Sequence, residues 1–325
     1  MDSDALNTFL TVHRRGGVSN AARALHRSQP AISRRIALLE QELGVPLFER
    51  VAGRTKLSDA GRVMVPYAER AVAAAQDAES AVRALTRQNA GPVSLAVVGT
   101  TAGGRLSDIL KRFGREYPDA DLTLRTATSA EVSDLVRRGE ATIGLRYDMD
   151  RLRDLDYQRL ASEPLKVVCA LDHPLAGKRV ARLADLRGER WIAFPEIPGR
   201  REIAASHVFA LFLTHGLGEI AWTPVDSLTA QKRLVEAGLG IALLTQSHAA
   251  DELRFRSIST IRVDDLTASQ DIVAVTRRGG FLSAASRRLL EIVREGFAKT
   301  NSTGVMTGRP NRIQPPKRKS RAKKR

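Results

Sequence analysis

The sequence predicts an α/β protein that carries a small all-α head at its N-terminus, and three observations lead there. The run Ser28-Gln29-Pro30-Ala31-Ile32-Ser33-Arg34-Arg35-Ile36, continued by Leu39-Glu40 and Leu43-Gly44, repeats apolar residues at helical spacing. A second helical recurrence extends over residues 59–88. After Gly91-Pro92 the pattern changes to short apolar runs alternating with amphipathic ones, as β-α-β units require. The chain therefore divides into a head (1–58), a linker helix (59–90), a two-lobed α/β region (91–300) and a tail (301–325).

In the head, Leu6, Phe9 and Leu10 give a first helix its buried face, and Gly16-Gly17 ends it. Ser19 is placed to cap a short helix from Asn20 to His26, in which Ala21, Ala22 and Ala24 permit close packing. A two- or three-residue turn around Arg27 then leads to Ser28, the spacing of a helix-turn-helix. Ser28 is the N-cap of the third helix, and Pro30 lies in its first turn, where a missing N–H costs nothing. Ile32, Ile36, Leu39 and Leu43 share one face; Pro30, Arg34, Ala37 and Gln41 point the other way, with Ser33 on the flank. Gln29 sits at the very end and reaches outward from there. Gln pairs bidentately with adenine and Arg with guanine in a major groove, so this leading end suits double-stranded DNA. Arg23, Arg27, Arg34, Arg35, Arg50 and Arg54 concentrate positive charge around it. An ordinary three-helix bundle without nucleic acid is the alternative, which the arginines weaken.

Leu57, Val63, Tyr67, Ala71, Ala74, Ala78, Val82 and Leu85 recur every three or four positions and form a seam along the linker helix. Pro66 is expected to remove a hydrogen bond and bend the helix near its start. Such a helix extends about 45 Å. A solitary helix with one apolar seam pairs with something: a second copy, giving two heads and an inverted-repeat target, or the next domain of its own chain.

Beyond Gly91-Pro92, strands at 93–98, 121–127 and 141–146 alternate with helices at 103–117 and 129–138. A second run has strands at 165–170, 191–194, 221–225, 241–244 and 271–276, with helices at 202–215, 228–237 and 283–297. A parallel sheet covered on both faces follows from that order, with crossing strands near 161–165 and 269–275 and a cleft between two lobes. Ligands gather beyond the C-terminal ends of strands, where helix N-termini offer free N–H groups. Those places are Gly99-Thr100-Thr101 and Thr128-Ser129 in one lobe, and Pro195 to Arg200, Val225-Asp226 and Thr245 in the other. Hydroxyls with a nearby arginine suit a small anion such as an organic carboxylate. Plain helix capping explains Thr100, Thr128 and Ser129 equally well, and Asp226 reads as a cap.

The head and linker resemble LysR-type transcriptional regulators. The string Ala21-Ala22, Leu25, Ser28-Gln29-Pro30-Ala31, Ser33, Ile36, Leu39-Glu40, Leu43-Gly44, Leu47-Phe48, Arg50 and Leu57-Ser58-Asp59-Ala60-Gly61 carries the likeness. It implies a winged helix-turn-helix in which Gln29, Pro30, Ser33 and Arg34 contact bases and nearby phosphates while Arg54 serves the wing. The family often has that arginine one place earlier, where this chain has Gly53. The second half resembles the same family's effector-binding domain, which is like a periplasmic binding protein, through His173-Pro174-Leu175-Ala176-Gly177, Leu183-Ala184-Asp185-Leu186 and Gly238-Leu239-Gly240-Ile241-Ala242-Leu243-Leu244. The resemblance implies a homodimer or homotetramer, a small-molecule effector in the cleft, and RNA polymerase as a candidate partner.

Composition narrows the rest. The net charge of +16 divides into +4 over residues 1–90, +9 over residues 309–325, and +3 between them. The basic tail, with Pro310, Pro315 and Pro316 and almost nothing apolar, is expected to be disordered. It reads either as an arm adding salt-sensitive affinity for phosphates or as a solvated tail without a task. Cys169 stands alone, which excludes an internal disulfide or a cysteine-rich zinc site, and the six histidines are scattered, so neither metal nor cofactor is expected. No eighteen-residue apolar run or signal segment occurs, so the expected location is the cytoplasm, without membrane partners. Catalysis is not expected. Gly99 to Gly104 lacks the P-loop ending and the dinucleotide spacing, and Ser206-His207 and Ser247-His248 are sequence neighbours whose side chains diverge. Other classes remain as alternatives: an architectural DNA-coating protein, or a solute-binding transport component, which the head and the missing export signal disfavour.

Overall fold

The structure, a computed structural model, describes residues 1–86, 92–101, 104–150, 152–194 and 203–301. Helix α1 (Ser3–Arg15) starts on Asp2, whose carboxylate accepts from the Ala5 N–H at 2.7 Å, and closes on Gly16. Helix α2 (Val18–Ala24) begins directly after Gly17, so Ser19 lies inside its first turn and caps nothing. Helix α3 (Gln29–Leu43) has Ser28 as its N-cap, accepting from the Ala31 N–H at 3.3 Å. Ile32, Ile36 and Leu39 are buried with Phe9, Leu10 and Leu47. Leu43 is exposed although it points within about 20° of Ile32, because the last turn of α3 overruns the small core.

Strands β1 (Phe48–Val51) and β2 (Arg54–Leu57) form an antiparallel hairpin with Val51 opposite Arg54. The two turn residues, Ala52 and Gly53, both have positive φ, which is the tight turn that suits right-twisted strands. Glu40 of α3 accepts from the N–H groups of Leu47 and Phe48 and ties the hairpin to the reading helix. Ser58 accepts from the Gly61 N–H and donates to the Pro46 carbonyl. Any side chain at 61 would collide with the Leu47 carbonyl, since a Cβ there would lie 2.1 Å from that oxygen. These contacts account for Ser58 and Gly61 of the Leu-Ser-Asp-Ala-Gly string.

Helix α4 (Asp59–Thr86) runs unbroken through Pro66 in its second turn. Ala68 and Val72 complete the head's core, so α4 and the head share one apolar cluster. Its predicted seam faces outward: Val63 is 65% and Leu85 87% exposed, and Tyr67, Ala71, Ala74, Ala78 and Val82 are exposed between them.

The first lobe contains β3 (Val93–Val98), a 3-10 turn at Gly99–Thr101, α5 (Gly104–Glu116), β4 (Leu122–Ala127), α6 (Ser129–Arg137) and β5 (Ile143–Tyr147). Strand β6 (Leu155–Ala170) then spans both lobes. The second lobe contains β7 (Arg179–Val180), a 3-10 turn at Leu183–Leu186, β8 (Trp191–Ala193), α7 (Ile203–Thr214), β9 (Trp222–Pro224), α8 (Leu228–Glu236), β10 (Ala242–Thr245), α9 (Gln246–Arg254) and β11 (Ile258–Val263). Strand β12 (Ser269–Arg277) returns to the first lobe, where α10 (Ala284–Asn301) closes the chain.

The sheet order is β4-β3-β5-β12-β6-β11-β7, with β10 also paired to β6. Strand β3 is parallel to β4 and β5, but β12 runs antiparallel to both β5 and β6, and β10 and β11 oppose β6. The sheet is therefore mixed and not wholly parallel as the βαβ order implied. The reason is topological: the chain leaves the first lobe on β6 and comes back on β12, so the two crossing strands must oppose each other. Their register slips between Ile272 and Val273, a bulge where the strands pass from lobe to lobe. Each lobe keeps its own core, one around Leu95, Phe113, Leu145 and Val293, the other around Val167, Trp191, Phe212 and Ile241.

Candidate DNA-reading head and effector cleft

At the leading end of α3, Ser28, Gln29, Pro30, Ser33 and Arg34 are all exposed. The side chains of Arg34, and of Arg50 and Arg54 on the hairpin, are exposed and make no hydrogen bond or ion pair with a described residue. Arg35 is different. Its guanidinium pairs with Asp4 and, at 3.4 Å, with Asp2, so it fastens α3 to the start of α1. Arg27 shares Asp4 at 2.8 Å, and the bond from Arg27 holds that carboxyl below the usual range. Two of the six clustered arginines are thus spent inside the head. Arg54 is the first residue of β2, directly after the two positive-φ turn residues Ala52 and Gly53.

Between the lobes, polar side chains meet one another. Tyr147, at the end of β5, accepts from the Thr100 hydroxyl at 3.2 Å and lies 2.7 Å from Nε2 of His248 on α9. Burial pushes the Tyr147 phenol up and the His248 imidazole down, which favours the neutral form of each. Glu163, buried on β6, pairs with Arg105 at 3.3 Å and accepts from Ser247 of α9. Asp148 accepts from the Asp271 N–H at 3.2 Å, while its other oxygen is buried without a hydrogen bond, 3.8 Å from Nδ1 of His207 on α7. Burial raises the Asp148 carboxyl above its ordinary value. These side chains bond one another between the lobes, and Arg105 is already paired with Glu163.

The residues expected at this groove fare unevenly. Thr100 joins the inter-lobe network, and Thr245, fully buried, contacts Ser247 at 3.3 Å. Thr101 donates to the Val98 carbonyl at 2.7 Å, and Thr128 accepts from the Glu131 N–H in a capping box. Ser129 is buried and accepts from the Tyr147 N–H at 3.3 Å. Gly99 borders open space. Val225 packs against the second lobe's core and donates its N–H to Ala193, which makes it a packing residue. Pro195, Arg200 and the basic tail lie outside the described residues.

Residues 3–62 match the bacterial regulatory helix-turn-helix proteins of the lysR family, and residues 86–298 match the LysR substrate binding domain. The chain belongs to the LysR family of transcriptional regulators. The transcriptional dual regulator GltC of Bacillus subtilis is 31% identical over 252 residues, covering 77% of this chain and 83% of GltC. The crystal structure of CbnR, a LysR family transcriptional regulator, superposes with TM-score 0.60 at 28% identity, covering 91% of this chain and 99% of CbnR. Full-length CbnR complexed with its target DNA gives TM-score 0.53 at 27% identity, over 91% of this chain and all of that one.

This LysR protein is a ligand-responsive DNA-binding regulator with a winged head and a two-lobed α/β effector domain. No described helix is long and apolar enough to cross a membrane. Tyr147, Glu163, Ser247 and His248 are not among the residues the sequence places at the groove. Ser247 and His248 do diverge, one toward Glu163 and the other toward Tyr147, which is why they make no triad yet both reach the groove. A signal was available: they open α9 directly after a strand end, the position at which ligand groups gather.

Proposed function

We propose that the protein binds an inverted-repeat operator as a dimer or tetramer, with α3 in the major groove. Gln29, Ser33 and Arg34 read base edges there, Ser28 and Pro30 set the helix end against the backbone, and Arg50 and Arg54 lie along the phosphates beside the wing. The observation that carries this reading is the division of α3, apolar residues packed in the head's core and an unpaired Gln, Ser and Arg at its exposed leading end. The outward stripe of α4 from Val63 to Leu85 supports pairing of two copies, which sets two heads on two half-sites.

The effector is a small molecule that enters between the lobes and exchanges its own polar groups for the bonds among Thr100, Tyr147, His248, Glu163 and Ser247. A carboxylate is the favoured class, held by hydroxyls and N–H groups where α6 and α9 begin. Arg200, which follows β8 in the sequence, is the proposed countercharge. Binding shifts the relative position of the lobes and thereby the bend between half-sites, which RNA polymerase reads. The protein works in the cytoplasm, and the nine Lys and Arg of residues 309–325 add affinity for any duplex.

In vitro selection from a random duplex pool tests the DNA reading. A short symmetric motif is expected; uniform enrichment would instead mark an architectural protein. A thermal-shift screen of small organic acids and amino-acid metabolites tests the cleft, with stabilisation lost in Thr100→Val.

A further inference from the structure

Helix α4 has a second face, opposite its outward stripe, and this one is occupied. Asp77 accepts from Arg277 of β12 at 2.6 Å and from the Phe281 N–H at 3.1 Å. Two turns earlier, Glu69 is buried and lies between Arg14 of α1 at 3.2 Å and Arg137 of α6 at 3.4 Å. Arg14 also reaches Glu140 of the first lobe at 3.2 Å, across a groove of about 590 Å³ between head and lobe. Between the two clasps, Gly139 brings the lobe's backbone against the helix. A Cβ there would stand 3.0 Å from Gln76 and 3.3 Å from Ala73, and its φ of +74° is a conformation that side chains resist.

We infer that Glu69 and Asp77 are positioning residues for operator recognition, fixing the reading head and the linker helix to the first lobe as one body. The inference rests on the DNA-reading proposal and adds what sets its geometry. A carboxylate as buried as Glu69 is tolerable only where cations face it, and here they come from the head on one side and the lobe on the other. Rotating either end about α4 would separate these ion pairs. The second lobe, joined by two crossing strands and the side-chain bonds across the groove, is then the part free to move when the cleft fills. The spacing of two half-sites is set by how the heads are held, so the clasps act on spacing and not on half-site sequence.

Selection from a random duplex pool with the full chain, its Glu69→Gln and Asp77→Asn variants, and Glu79→Gln on an exposed part of α4 tests this. The unaltered chain and Glu79→Gln are expected to enrich one half-site motif at one narrow spacing. Glu69→Gln and Asp77→Asn are expected to keep the motif but lose about fivefold or more of the preference between the best spacing and its neighbours. Asp77→Glu, which keeps the charge, is expected to restore the narrow spacing. The same narrow spacing in both neutral variants would overturn the clasp. If Glu69→Gln fails to fold, Asp77→Asn decides alone. No motif from the unaltered chain would sink the DNA reading itself, and the clasp with it.

Discussion

The leading end of α3 and the groove between the lobes carry similar polar side chains in opposite states. Gln29, Ser33 and Arg34 face solvent without side-chain partners among the described residues, held by a helix whose other face is packed. Thr100, Tyr147, His248, Glu163 and Ser247 are bonded to one another across the cleft. A surface in the first state binds without rearrangement, so its side chains act on affinity and leave folding alone. A surface in the second must give up existing bonds, so its ligand competes with the protein's own contacts, and its side chains support the fold as well as the response.

The largest expected effect breaks the head's side of that comparison without touching the head. Tyr67→Asp combined with Leu85→Asp places charge on the outward stripe of α4. Sedimentation is expected to show monomers, and operator affinity to fall about 10²–10⁴-fold as two linked half-site contacts become independent. Unchanged affinity in a monomer would mean that one head suffices. Arg34→Ala is next. Discrimination between matched and scrambled sites should fall by about 1–3 kcal/mol, with thermal stability changed by no more than about 0.5 kcal/mol because the side chain has no partner to lose. Equal losses on both sites would remove Arg34 from base reading.

Tyr147→Phe should give the converse signature. Removing its hydroxyl leaves Thr100 and His248 without their bond, and stability is expected to drop by about 1–3 kcal/mol while binding to an isolated half-site stays the same. Chemical denaturation beside half-site titration separates the two regions, and a Tyr147→Phe chain as stable as the parent would place the groove in the same unbonded state as the head.

The two regions also differ in how far they could be read from the amino acids. Ser28 as cap, Pro30 in the first turn and the buried Ile32-Ile36-Leu39 row are local consequences of helix geometry, and each has the predicted place. The pairing of Arg35 is not legible in the same way, because its partner, Asp4, lies a whole helix earlier in the chain, where no periodicity points to it. The groove fails in the same way on a larger scale. Tyr147 and His248 are 101 positions apart, and Glu163 meets Ser247 over 84. Such contacts appear only once β6 and β12 have been crossed. Strand β6 itself was read only in parts, because Ser162-Glu163-Pro164 at the crossing interrupts its apolar run. Helix α9 was missed because its polar run, nine residues from Gln246 to Arg254, buries a single alanine.

The smallest expected effect is pH dependence, and it distinguishes the regions by histidine. Burial lowers both His248 in the groove and His13 in the head below the ordinary value of 6.5. The unfolded chain therefore takes up protons first, near pH 6.5, and each ring withdraws stability as pH falls from there toward its lower folded value. One proton limits each slope to about 1.4 kcal/mol per pH unit. His13 sits beside Glu69, which offsets part of its burial, and it is less enclosed, so its share is the smaller. Asp148 works the other way. Its raised carboxyl takes up a proton in the folded state first and adds stability as pH falls through that folded value. The difference between parent and variant isolates each ring from this background. Melting followed from pH 7.5 to pH 5.5 is expected to flatten more in His248→Asn than in His13→Asn. A reversed order would mean that water already reaches the His248 ring, and that the groove stands open before any effector arrives.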